Sequence, residues 1–89
     1  MPQGENKNRV QVRIYGEEYT MKSDAAPEYM KRVAQYVDEK MRQIGHNSNR
    51  FGLNKLAVLT AVNMADELFR VRKELRDLEE LLDKSTTTK

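Results

Sequence analysis

The sequence NKLAVLTAVNMADELFRVRKELRDLEELLDK, from Asn54 to Lys84, decides the fold because it predicts one long helix. It contains no glycine, no proline and no cluster of turn residues. At 1.5 Å of rise per residue, it would form a rod about 45 Å long. A chain of 89 residues cannot cover such a rod with its own core. We therefore expect a partner helix or a second copy of the chain to cover its apolar face.

The apolar residues of this helix recur at alternating spacings of four and three, which is the repeat of a left-handed coiled coil. With Leu68 at heptad position a, the a and d positions form a seam that we predict to mediate oligomerisation. The seam residues are Ala57, Ala61, Met64, Leu68, Val71, Leu75, Leu78 and Leu82. Between Leu53 and Phe69 further apolar residues surround the seam, which predicts burial on all sides. The flanking charges do not distinguish parallel from antiparallel pairing.

The composition limits the classes of protein to which the chain can belong. Sixteen basic and 14 acidic residues leave a net charge of +2, which does not by itself indicate a nucleic-acid-binding protein. The absence of cysteine excludes disulfides and thiolate metal sites and permits a reducing compartment. No apolar run approaches the roughly 20 residues that span a bilayer, and the N-terminus lacks the apolar core of a signal peptide. These features predict a cytoplasmic location.

Residues 9–15 alternate apolar and polar side chains, which predicts a half-buried strand. The next two residues, Gly16 and Glu17, fit a type II′ hairpin loop with glycine at its first central position. This loop would pair Ile14 with Tyr19 and place the apolar residues of both strands on one side. Because a single hairpin is not stable alone, we expect it to pack against a helix or another hairpin.

A second amphipathic helix follows, with Pro27 in its first turn and Ser23 and Asp24 as candidate caps. We predict that it ends at Gly45, acting as the residue after the C-cap. Tyr29 and Tyr36 flank its apolar stripe, which we interpret as core rather than as a ligand site. The stripe consists of Met30, Val33, Ala34, Val37, Met41 and Ile44.

These elements predict an α+β fold with a small head followed by a coiled-coil helix. We assign residues 1–8 to a disordered arm and residues 9–52 to a head made of a β-hairpin and a helix. Residues 53–84 form the long oligomerisation helix, and residues 85–89 form a disordered tail. Gly52 and Asn54 are both acceptable caps for the start of the long helix.

The chain contains no motif that predicts catalysis. It has no glycine-rich phosphate loop, no metal-ligand spacing and no nucleophile beside a base, so we expect neither an enzyme nor a cofactor. The only histidine, His46, is more consistent with an ordinary loop residue than with a ligand. Asn63 is the one amide in the apolar part of the long helix, where it could bond to a neighbouring backbone or set the register of pairing.

Three segments closely resemble the ZapA family of bacterial cell-division proteins. They are VQVRIYGEEYTM from Val10 to Met21, VAQYVDEKMRQI from Val33 to Ile44, and above all KLAVLTAVNMADEL from Lys55 to Leu68. The resemblance covers essentially the full length of the chain. It implies a dimer, and an antiparallel tetramer formed by two dimers that join through the long helices. It also implies binding to the tubulin-like protein FtsZ at the mid-cell division ring, where the protein cross-links or bundles filaments.

A filament cross-linker needs at least two binding heads on a stiff spacer, and avidity then replaces strong affinity at each site. If the FtsZ surface is acidic, as the family resemblance implies, basic residues of the head are the natural contacts. The candidates are Arg13, Lys22, Lys31, Lys40, Arg42 and Arg50, although each is also an ordinary surface charge.

Two alternatives remain open from the sequence. One is a dimeric ribbon-type DNA-binding module, which the acidic residues Glu17 and Glu18 at the hairpin tip argue against. The other is a coiled-coil adaptor for a different partner, which would leave the head without a role. Binding to a membrane surface is disfavoured because the charges on the outer faces alternate in sign.

Overall fold

The computed structural model describes residues 8–47 and 52–87 of the chain. Two strands, β1 (Asn8–Ile14) and β2 (Glu17–Ser23), are followed by two helices, α1 (Pro27–Asn47) and α2 (Leu53–Thr87). The predicted hairpin, helix and long terminal helix are therefore confirmed. The predictions for residues 1–7 and for Arg50 lie outside the described ranges.

The hairpin is antiparallel, but its turn lies one residue earlier than predicted. Ile14 pairs with Glu17 rather than with Tyr19, and the turn residues are Tyr15 and Gly16. Both have positive φ angles, 52° and 84°, which is the geometry of a type I′ turn. The predicted type II′ loop at Gly16 and Glu17 was wrong because the glycine occupies the second central position. The observed register differs by two residues from the predicted one, so each side chain keeps its predicted face.

The core of the head lies between one face of the hairpin and α1. It consists of Val10, Val12, Met30 and Ala34, with Ile14, Met21 and Ala25 packed against it. Helix α1 packs mainly against β1. This contact covers the hairpin face that two strands cannot bury by themselves.

Helix α1 begins at Pro27, where a missing N–H costs nothing. Ser23 is not its cap, because the hydroxyl accepts a hydrogen bond from the Ala25 N–H at 3.0 Å, two residues before the helix. The Asn8 amide donates to the Ala25 carbonyl at 2.9 Å and ties the first strand to this bend.

Gly45 does not end helix α1, which continues to Asn47. The residue is buried, and a Cβ at this position would lie 2.6 Å from the Tyr15 hydroxyl and 3.4 Å from Leu56 Cδ2. Its small size therefore allows the hairpin turn, α1 and α2 to meet. The prediction that Gly45 ends the helix as the residue after the C-cap was wrong, because the glycine serves packing within the helix.

Helix α2 begins at Leu53, and the Gly52 carbonyl accepts a hydrogen bond from the Leu56 N–H at 3.0 Å. Gly52 is therefore the N-cap, and the helix continues past Lys84 to Thr87. Its 35 residues correspond to about 52 Å, nearly the full 57 Å of the molecule's longest dimension. Most of this rod projects beyond the head.

Candidate functional site

The candidate site consists of the head surface, the contact between the two helices, and the exposed side of α2. In the part of the chain that the structure describes, no group of three or more His, Asp and Glu residues could hold a metal ion. No helix within the described ranges has the length and apolar content to cross a membrane.

Two of the basic candidates lie around one groove. Arg13 of β1 and Lys31 of α1 both line the space between the strand and the helix, together with Gln35 and Asp38. Both basic side chains are exposed, and Arg13 pairs with Glu18 across the outer face of the hairpin at 3.0 Å. Lys22 is also exposed, on β2. The structure therefore brings Arg13 and Lys31 together, whereas Lys22 is not part of this groove.

Arg42 belongs to a cluster at the turn of the hairpin. Its Nε donates to Asp38 Oδ2 at 2.9 Å, and the second carboxylate oxygen accepts the Tyr15 backbone N–H at 2.7 Å. The guanidinium also lies over the Tyr15 ring, 5.9 Å from its centroid. Hydrogen bonds from Arg42 and then from Tyr15 hold the pKa of Asp38 below its ordinary value. This cluster docks the turn on α1.

Lys40 is largely covered, because only 18 % of its side chain is exposed. It pairs with Glu67 of α2, and the Tyr36 hydroxyl donates to the same carboxylate. These bonds, with that from Lys40 the larger, lower the pKa of Glu67, while the same carboxylate raises the pKa values of Lys40 and Tyr36. We call Tyr36, Lys40 and Glu67 the clasp. It joins the two helices at the point where the rod leaves the head.

The clasp could not be predicted from the sequence. Tyr36 and Lys40 are four residues apart on α1 and therefore share a face, but the sequence does not show which face of α2 they meet. The face is marked by the burial of Leu56 and Thr60, which are both 3 % exposed, and Leu56 Cδ2 lies 3.4 Å from where a Cβ of Gly45 on α1 would be. The Thr60 hydroxyl is satisfied by the Leu56 carbonyl at 2.8 Å.

The seam is exposed along most of α2. Leu68, Val71, Leu75, Leu78 and Leu82 are 47–65 % exposed, and only Met64 of the seam is partly covered. Leu56 and Thr60 face the head from positions outside the seam. The chain's own head therefore covers a different side of α2 and leaves the seam open along the rod. Asn63 is also exposed in the single chain.

Helix α1 contributes an apolar surface that its sequence pattern predicts to be part of the core. Val33 is 39 % exposed, so its placement in the core stripe was wrong, whereas Met30, Ala34 and Met41 are buried as predicted. Tyr29, Val33 and Tyr36 line a concave surface with Met64 of the seam. We call these four residues the concave patch. Arg32, Gln35 and Glu39 line the same concavity. The patch therefore places exposed apolar side chains of α1 beside the seam, among charged and polar neighbours.

The comparisons with known proteins agree with this architecture. A family model described as Cell division protein ZapA matches residues 10–88. Cell division protein ZapA of Geobacillus kaustophilus (strain HTA426) is 42 % identical over 81 residues, which are 91 % of this chain and 89 % of the relative. The protein of the same name from Halalkalibacterium halodurans is 43 % identical over 74 residues, 83 % of this chain and 81 % of the relative.

A solved structure has the same fold. It is a ZapA mutant dimer from Geobacillus stearothermophilus, 41 % identical, with a TM-score of 0.67 over 88 % of this chain and 91 % of the other. The family match begins within β1 and extends past the end of α2, so it includes the clasp, the whole seam and nearly all of the head. The chain therefore belongs to the ZapA family of cell-division proteins.

Proposed function

We propose that the chain is a non-enzymatic cross-linker of FtsZ filaments, acting in the cytoplasm at the mid-cell division ring. The observation that carries the proposal is the separation of a basic head groove from an uncovered apolar seam on one rigid rod. The head would bind a filament, and the seam would join chains, so one assembly could hold two filaments together. Membership of a cell-division family supports this division of labour.

We propose that self-association uses the concave patch and the seam together. They place exposed apolar side chains of α1 beside the exposed seam of α2, and exposed apolar patches of this kind mark sites of protein association. The related structure described as a dimer supports a second copy as the occupant. A dimer would use the part nearest the head, and an antiparallel pair of dimers would use the outer seam.

We propose that Arg13 and Lys31 are the basic residues most available to an acidic filament. Both are exposed in one groove. Arg13 is paired with Glu18, but both side chains of that pair are exposed to solvent, where an ion pair contributes little and a partner's carboxylate can replace it. Charge complementarity of this kind raises association rates and selects partners. Lys40 and Arg42 are engaged with Glu67 and Asp38, so partner contact would compete with those ion pairs. We expect these two residues to contribute mainly to the shape of the head.

The deciding experiment is co-sedimentation with GTP-assembled FtsZ, beside a random DNA duplex at the same salt concentration. We expect the chain to pellet with bundled filaments and to leave the DNA unshifted. A salt-sensitive DNA shift without pelleting would favour the ribbon-type DNA-binding alternative. Failure to bind either would leave an adaptor role for the coiled coil and reject the proposed function.

The contribution of the head groove can be tested with Arg13→Gln combined with Lys31→Gln. We expect half-maximal pelleting to need a several-fold higher protein concentration, with the oligomer mass unchanged by light scattering. The matched control is Lys73→Gln with Arg76→Gln, which removes the same charge from outer heptad positions of the rod. Equal weakening by both pairs would show a general charge effect and remove the groove from the proposal.

A further inference from the structure

The outer edge of β1 is an unpaired strand edge. Along β1, residues whose backbone N–H and C=O groups bond to β2 alternate with residues whose backbone groups point away from β2. Arg9, Gln11 and Arg13 belong to the second set. No backbone hydrogen bond joins these three residues to any other part of the described chain. Three N–H and three C=O groups therefore face outward along about 13 Å of strand. Such an edge can accept another strand.

The space beside this edge is a groove with a floor. Lys31, Ala34, Gln35 and Asp38 of α1 lie along it, so a strand added to β1 would run over the helix rather than into open solvent. These positions follow the helical spacing of three and four residues and form one continuous row. The other sheet edge, on β2, does not lie along α1 in this way, because α1 packs mainly against β1.

The charge of the groove favours an acidic occupant. Arg9 and Arg13 are exposed on the strand, and Lys31 lies across the groove. Arg13 is also paired with Glu18 of β2 in an exposed ion pair, which an acidic occupant could replace. The one carboxylate in the groove, Asp38, is already bonded to Arg42 and to the Tyr15 N–H. The edge of β2 instead presents residues of both signs, Glu18 and Lys22. The two edges of the hairpin are therefore electrostatically distinct.

The same charges disfavour a second copy of β1 at this edge. An antiparallel pair centred on Gln11 would place Arg9 of each chain opposite Arg13 of the other. Like charges directly opposite one another destabilise a strand pair, and charged residues at edges are a common protection against self-pairing. An acidic strand would meet the same arginines favourably.

We propose that the free edge of β1 docks an extended acidic segment of a partner protein, which adds to the hairpin as a third strand along α1. Main-chain hydrogen bonds to Arg9, Gln11 and Arg13 would supply the affinity, and alternate acidic side chains would supply the specificity. The inference rests on the proposed function, because it assigns a binding mode to the same groove of Arg13 and Lys31. A peptide test without FtsZ keeps its failure separate from the failure of the proposed function.

A fluorescein-labelled peptide of sequence EVEVEVEVE tests the proposal by fluorescence anisotropy with the full chain. We expect saturable binding, and at least tenfold weaker binding of the peptide in which every Glu is replaced by Lys. A version with alternate backbone amides N-methylated should also bind at least tenfold more weakly, because it cannot complete the strand pairing. Equal binding of the methylated peptide would overturn the proposal in favour of simple charge attraction.

A pair of proline variants locates the site. Gln11→Pro removes an outward N–H from the edge of β1, and Thr20→Pro makes the same change on the edge of β2, directly opposite. We expect the first to abolish binding of the acidic peptide and the second to retain it. The proposal would be overturned if both variants still bound the peptide. It would also be overturned if both lost binding while their circular dichroism stayed unchanged. If Gln11→Pro fails to fold, the comparison with the methylated peptide still decides the outcome. If the unmethylated acidic peptide does not bind the wild-type chain, the site is rejected.

Discussion

At the residue scale, Tyr15 shows why the position of the turn could not be read from the sequence. The glycine at position 16 indicates a tight turn, but it fits either central position of a two-residue loop. The observed turn needs Tyr15 at a φ of 52°, which costs a non-glycine residue roughly 1 kcal/mol or more. Its N–H bond to Asp38 and its ring contact with Arg42 compensate for this cost. Both partners lie on α1, more than 20 residues away, where local patterns carry no information.

Gly45 and Tyr15 should show a strong energetic coupling. A methyl group at position 45 would lie 2.6 Å from the Tyr15 hydroxyl, so Gly45→Ala forces that oxygen to move. The free-energy cost of this movement offsets the stability gained from the higher helix propensity of alanine. In the Tyr15→Phe background the oxygen is absent, and we expect Gly45→Ala to be more favourable by about 1 kcal/mol. Urea unfolding of the wild type, both single variants and the double variant measures this difference. Additive effects would contradict the close approach.

The Asp38 cluster should make stability depend on pH. Its folded pKa is lowered by Arg42 and the Tyr15 N–H, so its contribution is present above the unfolded pKa of about 3.9 and is lost as the pH falls through the folded value. We expect Asp38→Asn to cost about 1 to 2 kcal/mol at pH 7 and progressively less below pH 3.9. Urea unfolding across this range checks the prediction. Glu39→Gln, at the next residue of the same helix, is the control. If Asp38→Asn lowered the free energy of unfolding equally at every pH, the pH dependence would not come from Asp38.

At the element scale, periodicity identified both helices, and the structure shows what periodicity leaves open. The apolar stripe of α1 was assigned to one core, yet Met30 and Ala34 meet the hairpin while Val33 faces outward beside Met64. On α2, the residues that meet the head are Leu56 and Thr60, outside the seam. A helix with apolar residues on several sides has several possible contacts. The partner of each side depends on the tertiary arrangement, which a single sequence does not contain.

The start of α2 is weakly capped and should respond to a better residue. Gly52 is the N-cap, the first turn has no acidic residue, and a Cβ at position 52 would meet no atom within 4 Å. We expect Gly52→Asp to stabilise the protein by about 0.5 to 1 kcal/mol, because its carboxylate can accept an N–H bond and favours the helix dipole. Thermal unfolding at equal protein concentration measures the effect. Gly52→Ala is the control without a cap, and a gain of equal size there would exclude capping as the cause.

At the scale of the whole molecule, the length of the predicted helix indicates that a partner must cover its apolar face. The structure supports that inference, since the rod extends beyond its head with its seam exposed. Burying a large aliphatic side chain contributes roughly 1.5 to 3 kcal/mol, so the exposed leucines of the seam represent a substantial driving force for association. The clasp would then fix the direction in which this seam is presented to a second copy. The stoichiometry and the direction of pairing depend on surfaces of two chains, which neither the heptad pattern nor one chain defines.

Leu75→Lys should separate assembly from folding. Leu75 is 55 % exposed on the free rod, far from the hairpin, so a lysine there leaves the head intact but places a charge in the proposed interface. We expect a smaller mass by light scattering at the same concentration. The near-ultraviolet circular dichroism of tyrosine should be retained, because all four tyrosines precede α2. Glu80→Gln changes the net charge by the same +1 at an outer heptad position and should leave the mass unchanged. If Leu75→Lys keeps the wild-type mass, the seam is not the assembly surface, and the concave patch near the head must carry self-association by itself.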